Sequence, residues 1–420
     1  MKRREFLLSG LGAIVAAGVA PAVGAATNAG RVVIVGGGWG GLSAARHLRQ
    51  LAPQLDVTLV ERNAAFWSGP LSNQWLAGRI DTRLVTHDYA RAVQAYGYRY
   101  VRAEVRDIDR VTRRVATADN AFDYDWLVLA PGIRYDWAAW FGDDARAAEH
   151  ASTNYPCAFM PGEELPALKK KLDGFAGGDL VMTIPPMPYR CPPAPYERAL
   201  VIAALMQSRS LKGRLIVLDP NPMMAAFNRV FAEQYKDRIV YVPHAKVTAV
   251  DPFARTISTT FDDFRFDDAI LMAPQQAGEL ARRAGVVGSS GWAEVDPLHL
   301  HARDDERVFV IGDAVGTVSP LFGHYPKSGH MAARQGRIVA AEIAARAAGR
   351  VPEMQLPEST CHVMTRLDPL EAMRIDSRYR LRGDGVIAQS VQQSHDPNPR
   401  GEDVAWAQGM FSELLGYTGQ

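Results

Sequence analysis

Residues 31–41 constrain the fold of this chain more than any other segment. They read RVVIVGGGWGG, so a run of apolar, β-forming residues leads directly into a G-x-G-x-x-G motif made by Gly36, Gly38 and Gly41. In such motifs the first glycine permits a tight turn, the second lets the backbone approach a pyrophosphate, and the third lets the following helix pack closely on the strand. The N-terminus of that helix presents partial positive charge to phosphates. The motif predicts a dinucleotide site.

A second apolar run supports this prediction. Residues 57–60 end in Glu61, roughly 20 residues after Gly41, where an acid bonds the ribose 2′-hydroxyl of a dinucleotide. The neighbouring Arg62 is a further candidate for contact with the cofactor. Strand, glycines, helix, strand and acid in this order predict a Rossmann-type domain.

Two more strand patterns indicate which dinucleotide binds. Residues 126–132 read WLVLAPG and residues 307–314 read RVFVIGDA, and both end in small turn residues. The pair resembles flavoproteins with two dinucleotide-binding domains, in which the first segment closes the FAD domain and the second places an acid on the ribityl chain and pyrophosphate. A single such strand is common in α/β sheets, but three matches in order favour FAD over NAD. The candidate cofactor-binding residues here are Ala130, Pro131, Gly132, Gly312 and Asp313.

The N-terminus has the pattern of an export signal. A basic region with the twin arginine Arg3-Arg4 precedes an apolar stretch over residues 7–20 and a small-residue cleavage site at 23–25. The apolar stretch is shorter than the about 20 residues that span a bilayer, so a removed signal is favoured over an anchor. We interpret residues 1–25 as a twin-arginine signal peptide and expect a periplasmic protein that is exported folded, with its flavin.

Composition narrows the possible partners. Lys and Arg number 47 against 46 Asp and Glu, so no nucleic-acid partner is expected. No later apolar run reaches the length of a membrane span, and the ten histidines show no metal-ligand spacing, so neither a span nor a metal site is predicted.

The patterns together predict an α/β fold, a tandem Rossmann-like flavoprotein with two dinucleotide-binding domains and a small C-terminal domain. We assign residues 30–150 and 286–350 to the FAD-binding domain and residues 151–285 to the second Rossmann-like domain. Residues 351–420 form the C-terminal domain, because prolines follow the alanine-rich helix predicted over 335–348.

The second domain lacks a nicotinamide fingerprint. Its predicted first strand, residues 179–184, runs into the proline-rich segment 185–193 instead of a glycine motif. Proline has no N–H to offer a pyrophosphate and fixes φ near about −65°, so this loop is unsuited to cradling a phosphate. NADH as electron donor is therefore disfavoured.

The chain has three cysteines, too few for a disulfide-framework protein. Cys191 and Cys361 are far apart in sequence, so a bond between them would tie the second domain to the C-terminal one. From the residues alone, a structural disulfide or free buried cysteines are favoured over a catalytic pair.

The segment 188–198, PYRCPPAPYER, resembles the cysteine motif of the flavoprotein subunit of flavocytochrome c sulfide dehydrogenase. The similarity covers essentially the whole chain after the signal and continues through segments 71–73, 130–132, 311–313, 326–329 and 359–361. It implies that Cys191 and Cys361 form a catalytic redox disulfide over the flavin, that sulfide is the substrate, and that a separate c-type cytochrome subunit accepts the electrons. No C-x-x-C-H haem motif occurs in the chain itself. Cys157 matches neither position and is interpreted as a bystander.

One loop departs from the family pattern. Where relatives often carry a cysteine bonded to the flavin ring, segment 66–71 has Gly69 between Ser68 and Pro70. None of these residues can form a thioether, so we predict noncovalent FAD.

Two charged residues are further candidates, each with a plainer alternative. Lys327 could stabilise a reduced, anionic flavin, or could be a solvated surface lysine. Glu197 could act as a base near the disulfide, or could pair with Arg198 in a salt bridge.

Two other functions compete with the cytochrome-coupled enzyme. A membrane-surface sulfide:quinone reductase shares the fold, but it would need an amphipathic C-terminal helix with an apolar face for docking on the membrane. The final stretch of this chain instead mixes polar and apolar residues. A non-catalytic flavin-binding partner in sulfur metabolism would hold a purely structural disulfide. Bleaching of the flavin by sulfide separates that case from the enzymes.

Overall fold

The computed structural model describes residues 30–417, and the predicted signal peptide lies outside the described residues. The first segment contains β1 (Arg31–Val35), α1 (Trp39–Leu51), β2 (Asp56–Glu61), β3 (Ala65–Trp67), α2 (Ser72–Leu76), β4 (Thr86–Asp88), α3 (Tyr89–Tyr96), β5 (Arg99–Arg102), β6 (Val105–Asp109), β7 (Arg114–Thr117), β8 (Ala121–Asp123), β9 (Trp126–Leu129), β10 (Ile133–Tyr135) and α4 (Ala138–Phe141).

The middle segment contains α5 (Ala145–Asn154), α6 (Glu164–Gly174), β11 (Leu180–Thr183), α7 (Ala194–Ser208), β12 (Leu215–Asp219), α8 (Ala225–Glu233), β13 (Ile239–Pro243), β14 (Val247–Asp251), β15 (Thr256–Thr259), β16 (Asp263–Arg265) and β17 (Asp268–Ile270). The last segment contains β18 (Gln275–Ala277), α9 (Glu279–Arg283), β19 (His301–Ala302), β20 (Asp305–Val310), α10 (Gly329–Ala347), β21 (Ser359–Arg366), β22 (Glu371–Leu381), β23 (Ile387–Asp396) and α11 (Glu402–Leu415). Single 3₁₀ turns lie at Thr82–Leu84 and Gly312–Ala314.

The first domain is built on a six-stranded sheet with the order β19-β20-β9-β1-β2-β5. Its five long strands are parallel and only the short edge strand β19 is antiparallel. The β1 residues Val32 to Val35 are buried, as expected for a central strand covered on both faces. Helices α1 and α10 pack so closely that a Cβ on Gly336 would lie 2.4 Å from the carbonyl oxygen of Gly40. The carboxyl ends of β1, β2, β9 and β20 meet at one edge, which is where α/β sheets bind ligands.

The second domain has a four-stranded parallel sheet, β13-β12-β11-β17, and a small antiparallel sheet, β14-β15-β16. Strand β11 begins this domain as predicted and leads through the proline-rich loop into α7. The domain end at residue 285 stays a prediction, but β18 pairs antiparallel with β10 and α9 packs on β6, so residues 275–283 contact elements of the first segment.

The C-terminal domain is a three-stranded antiparallel sheet, β21-β22-β23, followed by α11. Helix α11 packs back on α1 and α3 of the first domain, burying Phe411, Leu414 and Leu415. The predicted fold class, with two Rossmann-like domains and a small C-terminal domain, is confirmed. No helix within residues 30–417 is long and apolar enough to cross a membrane.

Candidate active site

A deep cavity lies at the carboxyl edge of the first sheet and is lined by all three domains. It runs from the turn after β1 to the segment around Cys191 and to β21. The predicted residues that line it are Gly38, Ala130, Gly132, Cys191, Gly312, Asp313 and Cys361. Six predicted residues are not among those that line it: Gly36, Gly41, Glu61, Arg62, Pro131 and Lys327. Among these, Arg62 is exposed to solvent.

The glycines of the first turn have three different environments. Gly36 has a φ of +104°, and a Cβ there would lie 2.3 Å from the carbonyl oxygen of Ala130. A Cβ on Gly41 would lie 1.8 Å from the carbonyl oxygen of Gly36, so the helix could not pack on the strand with any side chain at this position. A Cβ on Gly38 would meet nothing within 4 Å. The backbone of Gly38 is therefore open to a ligand.

Glu61 lies at the end of β2, next to this turn. One of its carboxylate oxygens accepts the Gly37 N–H at 2.6 Å, and the other accepts the Asn63 backbone N–H at 2.7 Å and the Asn63 side-chain amide at 2.6 Å. A carboxylate oxygen can accept more than one hydrogen bond, so Glu61 holds the turn and keeps capacity for a ribose hydroxyl.

Asp313 provides a test of whether these residues fit FAD. Its Oδ2 accepts the Arg190 Nε–H at 2.5 Å, while its Oδ1 is buried and has no hydrogen-bond partner within residues 30–417. A buried unpaired acceptor costs about 1–3 kcal/mol, so Oδ1 is suited to receive a hydroxyl from a ligand in the cavity. The N-termini of α1 and α10 also border the cavity and supply positive potential. The cavity fits FAD.

Cys191 and Cys361 come together in this cavity although they are distant in sequence. Cys191 precedes α7, has a φ of +51° and donates its backbone N–H to the carbonyl of Lys327 at 2.8 Å. Cys361 lies near the start of β21. Hydrogen bonding to the Cys361 thiol, together with burial, raises the pKa of the Cys191 thiol well above its usual value. Both cysteines are free thiols in this structure and line the same cavity, near enough to each other for one to affect the pKa of the other.

Cys157 lies behind the cavity wall. It is 1% exposed, and its Sγ lies 3.0 Å from the hydroxyl of Tyr135. It is not among the residues that line the cavity. The structure therefore separates Cys157 from the other two cysteines.

Glu197 and Arg198 line the same cavity, and Asn73 joins them. Asn73 donates its amide to Glu197 at 2.9 Å, and Arg198 Nε donates to the Asn73 amide oxygen at 3.3 Å. Glu197 also accepts the backbone N–H of Met364, on the strand that carries Cys361, at 2.6 Å. Burial raises the pKa of Glu197 to about 7. The direct salt bridge between Glu197 and Arg198 that the sequence left open does not form.

Arg198 is 1% exposed and donates to the carbonyl of Cys157. Arg198 forms no salt bridge with a carboxylate of the described residues, although Glu164 and Glu197 are near enough for their charges to interact with it. A buried guanidinium without a direct counter-ion leaves positive potential in the cavity, which favours anions there.

Lys327 is buried, which rules out the solvated-surface alternative. Its Nζ donates to the carbonyls of Asp313 at 2.7 Å and Val315 at 2.9 Å, and lies 3.6 Å from the ring centroid of Trp292. Burial lowers the pKa of Lys327 to about 7. The ammonium therefore holds the segment after β20 and lies behind the cavity wall rather than on its surface.

Sequence reasoning assigned no role to Asn73 or Arg190, although both lie in segments that carry the family resemblance. Their side chains contact residues distant in the chain, so spacing offered no signal for either. Within residues 30–417, no group of three or more His, Cys, Asp or Glu side chains could hold a metal ion.

Comparisons with known proteins agree with this geometry. The family model described as the central part of the sulfide dehydrogenase [flavocytochrome c] flavoprotein chain matches residues 166–274, and that of the pyridine nucleotide-disulphide oxidoreductases matches residues 30–147. A sulfide dehydrogenase [flavocytochrome c] flavoprotein chain from Chlorobaculum thiosulfatiphilum is 58% identical over 43 residues, which cover 10% of this chain and 90% of that sequence.

Two longer matches extend over most of the molecule. The mitochondrial sulfide:quinone oxidoreductase of Mus musculus is 21% identical over 304 residues, which cover 69% of this chain and 66% of that protein. The solved structure of the sulfide:quinone oxidoreductase from Aquifex aeolicus superimposes with a TM-score of 0.73 at 18% identity, covering 92% of each chain. That structural match shows a shared fold.

The cavity that fits FAD, the two cysteines that line it and these matches lead to one assignment. The cofactor is FAD, and the chain is a flavoprotein similar both to the flavoprotein chain of flavocytochrome c sulfide dehydrogenase and to the sulfide:quinone oxidoreductases.

Proposed function

We propose that the chain oxidises sulfide as the flavoprotein subunit of a flavocytochrome-type sulfide dehydrogenase and passes the electrons to a c-type cytochrome. The observation that carries the proposal is that Cys191 and Cys361, which are distant in sequence, both line the cavity that fits FAD. A purely structural disulfide has no need to face a cofactor cavity, whereas a disulfide that exchanges electrons with the flavin has to face it.

The cysteine pair supplies the sulfur chemistry. Hydrosulfide attacks Cys191 of the disulfide, which forms a persulfide on Cys191 and releases Cys361 as a thiolate. A second hydrosulfide attacks the outer sulfur, releases HSSH and leaves both cysteines as thiolates. Re-forming the disulfide gives up two electrons, so two HS⁻ yield one HSSH and two electrons. Bound FAD supplies the two-electron acceptor.

Glu197 and Arg198 prepare the nucleophile. The positive charge of Arg198 favours hydrosulfide over neutral H₂S in the cavity. The carboxylate of Glu197, whose pKa is about 7, can take the proton from H₂S and later return it to a sulfur product. Asn73 and the Met364 N–H orient this carboxylate between α7 and the strand of Cys361.

Replacing Glu197 by Gln should therefore slow flavin reduction by sulfide by about a hundredfold, the usual contribution of a general base. Stopped-flow absorbance of the purified, FAD-loaded protein measures this rate. The exposed Glu233, replaced in the same way, is the matched control and should have no effect. A Glu197→Gln enzyme with the wild-type rate would contradict the proton role.

The same variant should change the pH dependence of stability. Because the folded-state pKa of Glu197 is raised from 4.5 to about 7, its contribution to stability is present below pH 4.5 and is lost as pH rises through 7. Over this pH range the free energy of unfolding of the variant should rise relative to that of the wild type by at most about 3 kcal/mol. Urea unfolding at pH 5 and pH 8 measures the difference. Equal stability differences at both pH values would show that the carboxyl does not titrate in this range.

The electron acceptor distinguishes the proposal from its main alternative, a sulfide:quinone reductase. That alternative is supported by the match to the Mus musculus protein and by the fold shared with the Aquifex aeolicus structure. We expect sulfide to bleach the flavin anaerobically and a c-type cytochrome to reoxidise it faster than a short-chain ubiquinone. Reoxidation by the quinone alone would overturn the cytochrome assignment. A flavin that sulfide does not bleach would overturn sulfide oxidation altogether.

The flavin should be held without a covalent bond. The segment 66–71 lines the cavity and contains no cysteine, and Gly69 in its centre is exposed. Acid precipitation should release the flavin absorbance into the supernatant, as it does when free FAD is mixed with a flavin-free protein. Yellow colour that stays in the washed pellet would contradict this prediction.

We also propose that the protein works in the periplasm, which the N-terminal twin-arginine pattern supports. Replacing Arg3 and Arg4 by Lys should leave the folded, yellow protein in the cytoplasmic fraction. Normal periplasmic yield from that variant would contradict the twin-arginine route.

A further inference from the structure

We propose that Arg190 is a positioning residue that couples the Asp313 carboxylate to the cysteine pair. A change in the position of Asp313, the flavin-binding acid, then changes the conformation of the loop that carries Cys191. The inference rests on the proposed function, because it takes Cys191 and Cys361 as residues that exchange between dithiol and disulfide. Arg190 acts through its contacts and does not itself react.

The geometry is a closed ring of bonds around the cavity wall. The guanidinium of Arg190 donates from Nε to Asp313 Oδ2 at 2.5 Å. The backbone carbonyl of Asp313 accepts from Lys327 Nζ at 2.7 Å. The carbonyl of Lys327 accepts the N–H of Cys191 at 2.8 Å, and Cys191 follows Arg190 in the chain. The flavin-binding acid and the cysteine are thus joined along two separate routes.

Further contacts fix Arg190 at both ends. Its backbone N–H donates to the side-chain oxygen of Gln275 at 2.8 Å, and its Nη1 donates to the carbonyl of Phe159. Each contact comes from a segment distant in sequence. The planar fork of a guanidinium can bond Asp313 and Phe159 at once, which the single ammonium of lysine cannot match.

The ring holds Cys191 in a conformation that needs support. A φ of +51° lies in the left-handed region, which L residues other than glycine rarely adopt. Such a conformation persists only where the surroundings hold it. The bonds on either side of Cys191, from its own N–H and from the Arg190 side chain, supply that restraint.

The restraint sets how readily the disulfide forms. Two thiols held close together in one cavity act at a high effective concentration, because little conformational freedom is left to lose when they join. Loosening the Cys191 loop lowers that concentration and moves the exchange towards the dithiol. Since Asp313 Oδ1 is the atom left free for a ligand, occupancy of the flavin site stiffens the same acid that anchors Arg190.

The test measures the disulfide equilibrium directly and does not depend on sulfide turnover. The purified, FAD-loaded full chain is equilibrated without oxygen in glutathione buffers in which the flavin stays oxidised. Two glutathiones reduce the disulfide and form one glutathione disulfide. Thiol alkylation and mass spectrometry then give the fraction of Cys191 in the disulfide. FAD content and thermal melting are recorded for every variant.

Arg190→Met should shift this equilibrium at least tenfold towards the dithiol, and Asp313→Asn should shift it in the same direction. The double variant should shift it no further than the larger single change, because the two residues act through one bond. Arg190→Lys, which keeps the charge and one donor, should give an intermediate shift. The matched control is Arg214→Met, which removes an exposed arginine paired with Asp179 at 3.1 Å in the same domain and should leave the equilibrium unchanged.

Each other outcome overturns the inference. A wild-type equilibrium in folded Arg190→Met or Arg190→Lys would show that Arg190 does not restrain the pair. Additive shifts in the double variant would show that Arg190 and Asp313 act separately. Failure of the wild type to form a Cys191–Cys361 disulfide in any buffer would overturn both this inference and the proposed function, whereas the first two results leave the proposed function standing.

Discussion

Replacing either Cys191 or Cys361 by Ser is expected to leave FAD bound and to reduce sulfide-driven flavin reduction by about three orders of magnitude or more, as loss of a reacting nucleophile does in other enzymes. Serine cannot accept sulfur and cannot leave as a thiolate. Neither cysteine lies in the glycine turn or contacts Glu61, so the FAD content of both variants should match the wild type. Stopped-flow absorbance after anaerobic mixing with sulfide measures the rate.

The matched control is Cys157→Ser, because Cys157 is buried behind the cavity wall and contacts Tyr135. It should keep the wild-type rate. A purely structural disulfide would behave differently, since its loss costs about 2–4 kcal/mol of stability but leaves the flavin responsive to sulfide below the melting temperature. Near-normal flavin reduction in both single variants would refute the catalytic pair. A large loss in Cys157→Ser would mean that the reacting partner was misassigned.

The first domain could be predicted from sequence because its determinants are local. The apolar strand, the glycine turn and the helix lie within one short segment, and each glycine position has a steric reason that any such turn shares. In this structure a Cβ on Gly41 would lie only 1.8 Å from the Gly36 carbonyl oxygen, so no side chain fits at that position. Strands β9 and β20, which lead into Ala130 and Gly312, were predictable for the same reason, since apolar runs followed by small residues are visible without tertiary information.

The placement of Cys191 and Cys361 in one cavity could not be derived in that way. It depends on how α7 of the second domain and β21 of the C-terminal domain pack across the first, which no spacing rule specifies. Only the resemblance of segment 188–198 to a known motif pointed to it. The bond from Asn73 to Glu197 and the pair of Arg190 with Asp313 are hidden for the same reason, because each joins segments that come together only in the folded chain.

Two features could not be decided from the sequence because burial and strand pairing are tertiary properties. The short strand β18 has no strong alternation of apolar and polar residues, and only the folded structure shows that it pairs with β10. Lys327 could not be assigned to surface or interior from its neighbours in sequence. Its two backbone carbonyl acceptors and the ring of Trp292 make a buried ammonium tolerable.

Replacing Gly38 by Ala is expected to weaken FAD binding by about a hundredfold, or about 2.8 kcal/mol, without unfolding the protein. The φ of Gly38 is −74° and a Cβ would meet no protein atom within 4 Å, so alanine is compatible with the backbone and the packing. The added methyl group would occupy the space through which the backbone approaches a pyrophosphate. Titration of the apoprotein with FAD, followed by flavin fluorescence, measures the affinity.

Two other glycines separate this effect from a general loss of structure. Gly41→Ala should lower the melting temperature of the apoprotein itself, because its Cβ would overlap the Gly36 carbonyl. Gly409→Ala, at an exposed position of α11 with no neighbour within 4 Å, should leave FAD affinity unchanged and slightly raise stability through helix propensity. If Gly38→Ala binds FAD as tightly as the wild type, the pyrophosphate does not lie at this turn. If it melts as early as Gly41→Ala, the glycine is needed for folding rather than for the cofactor.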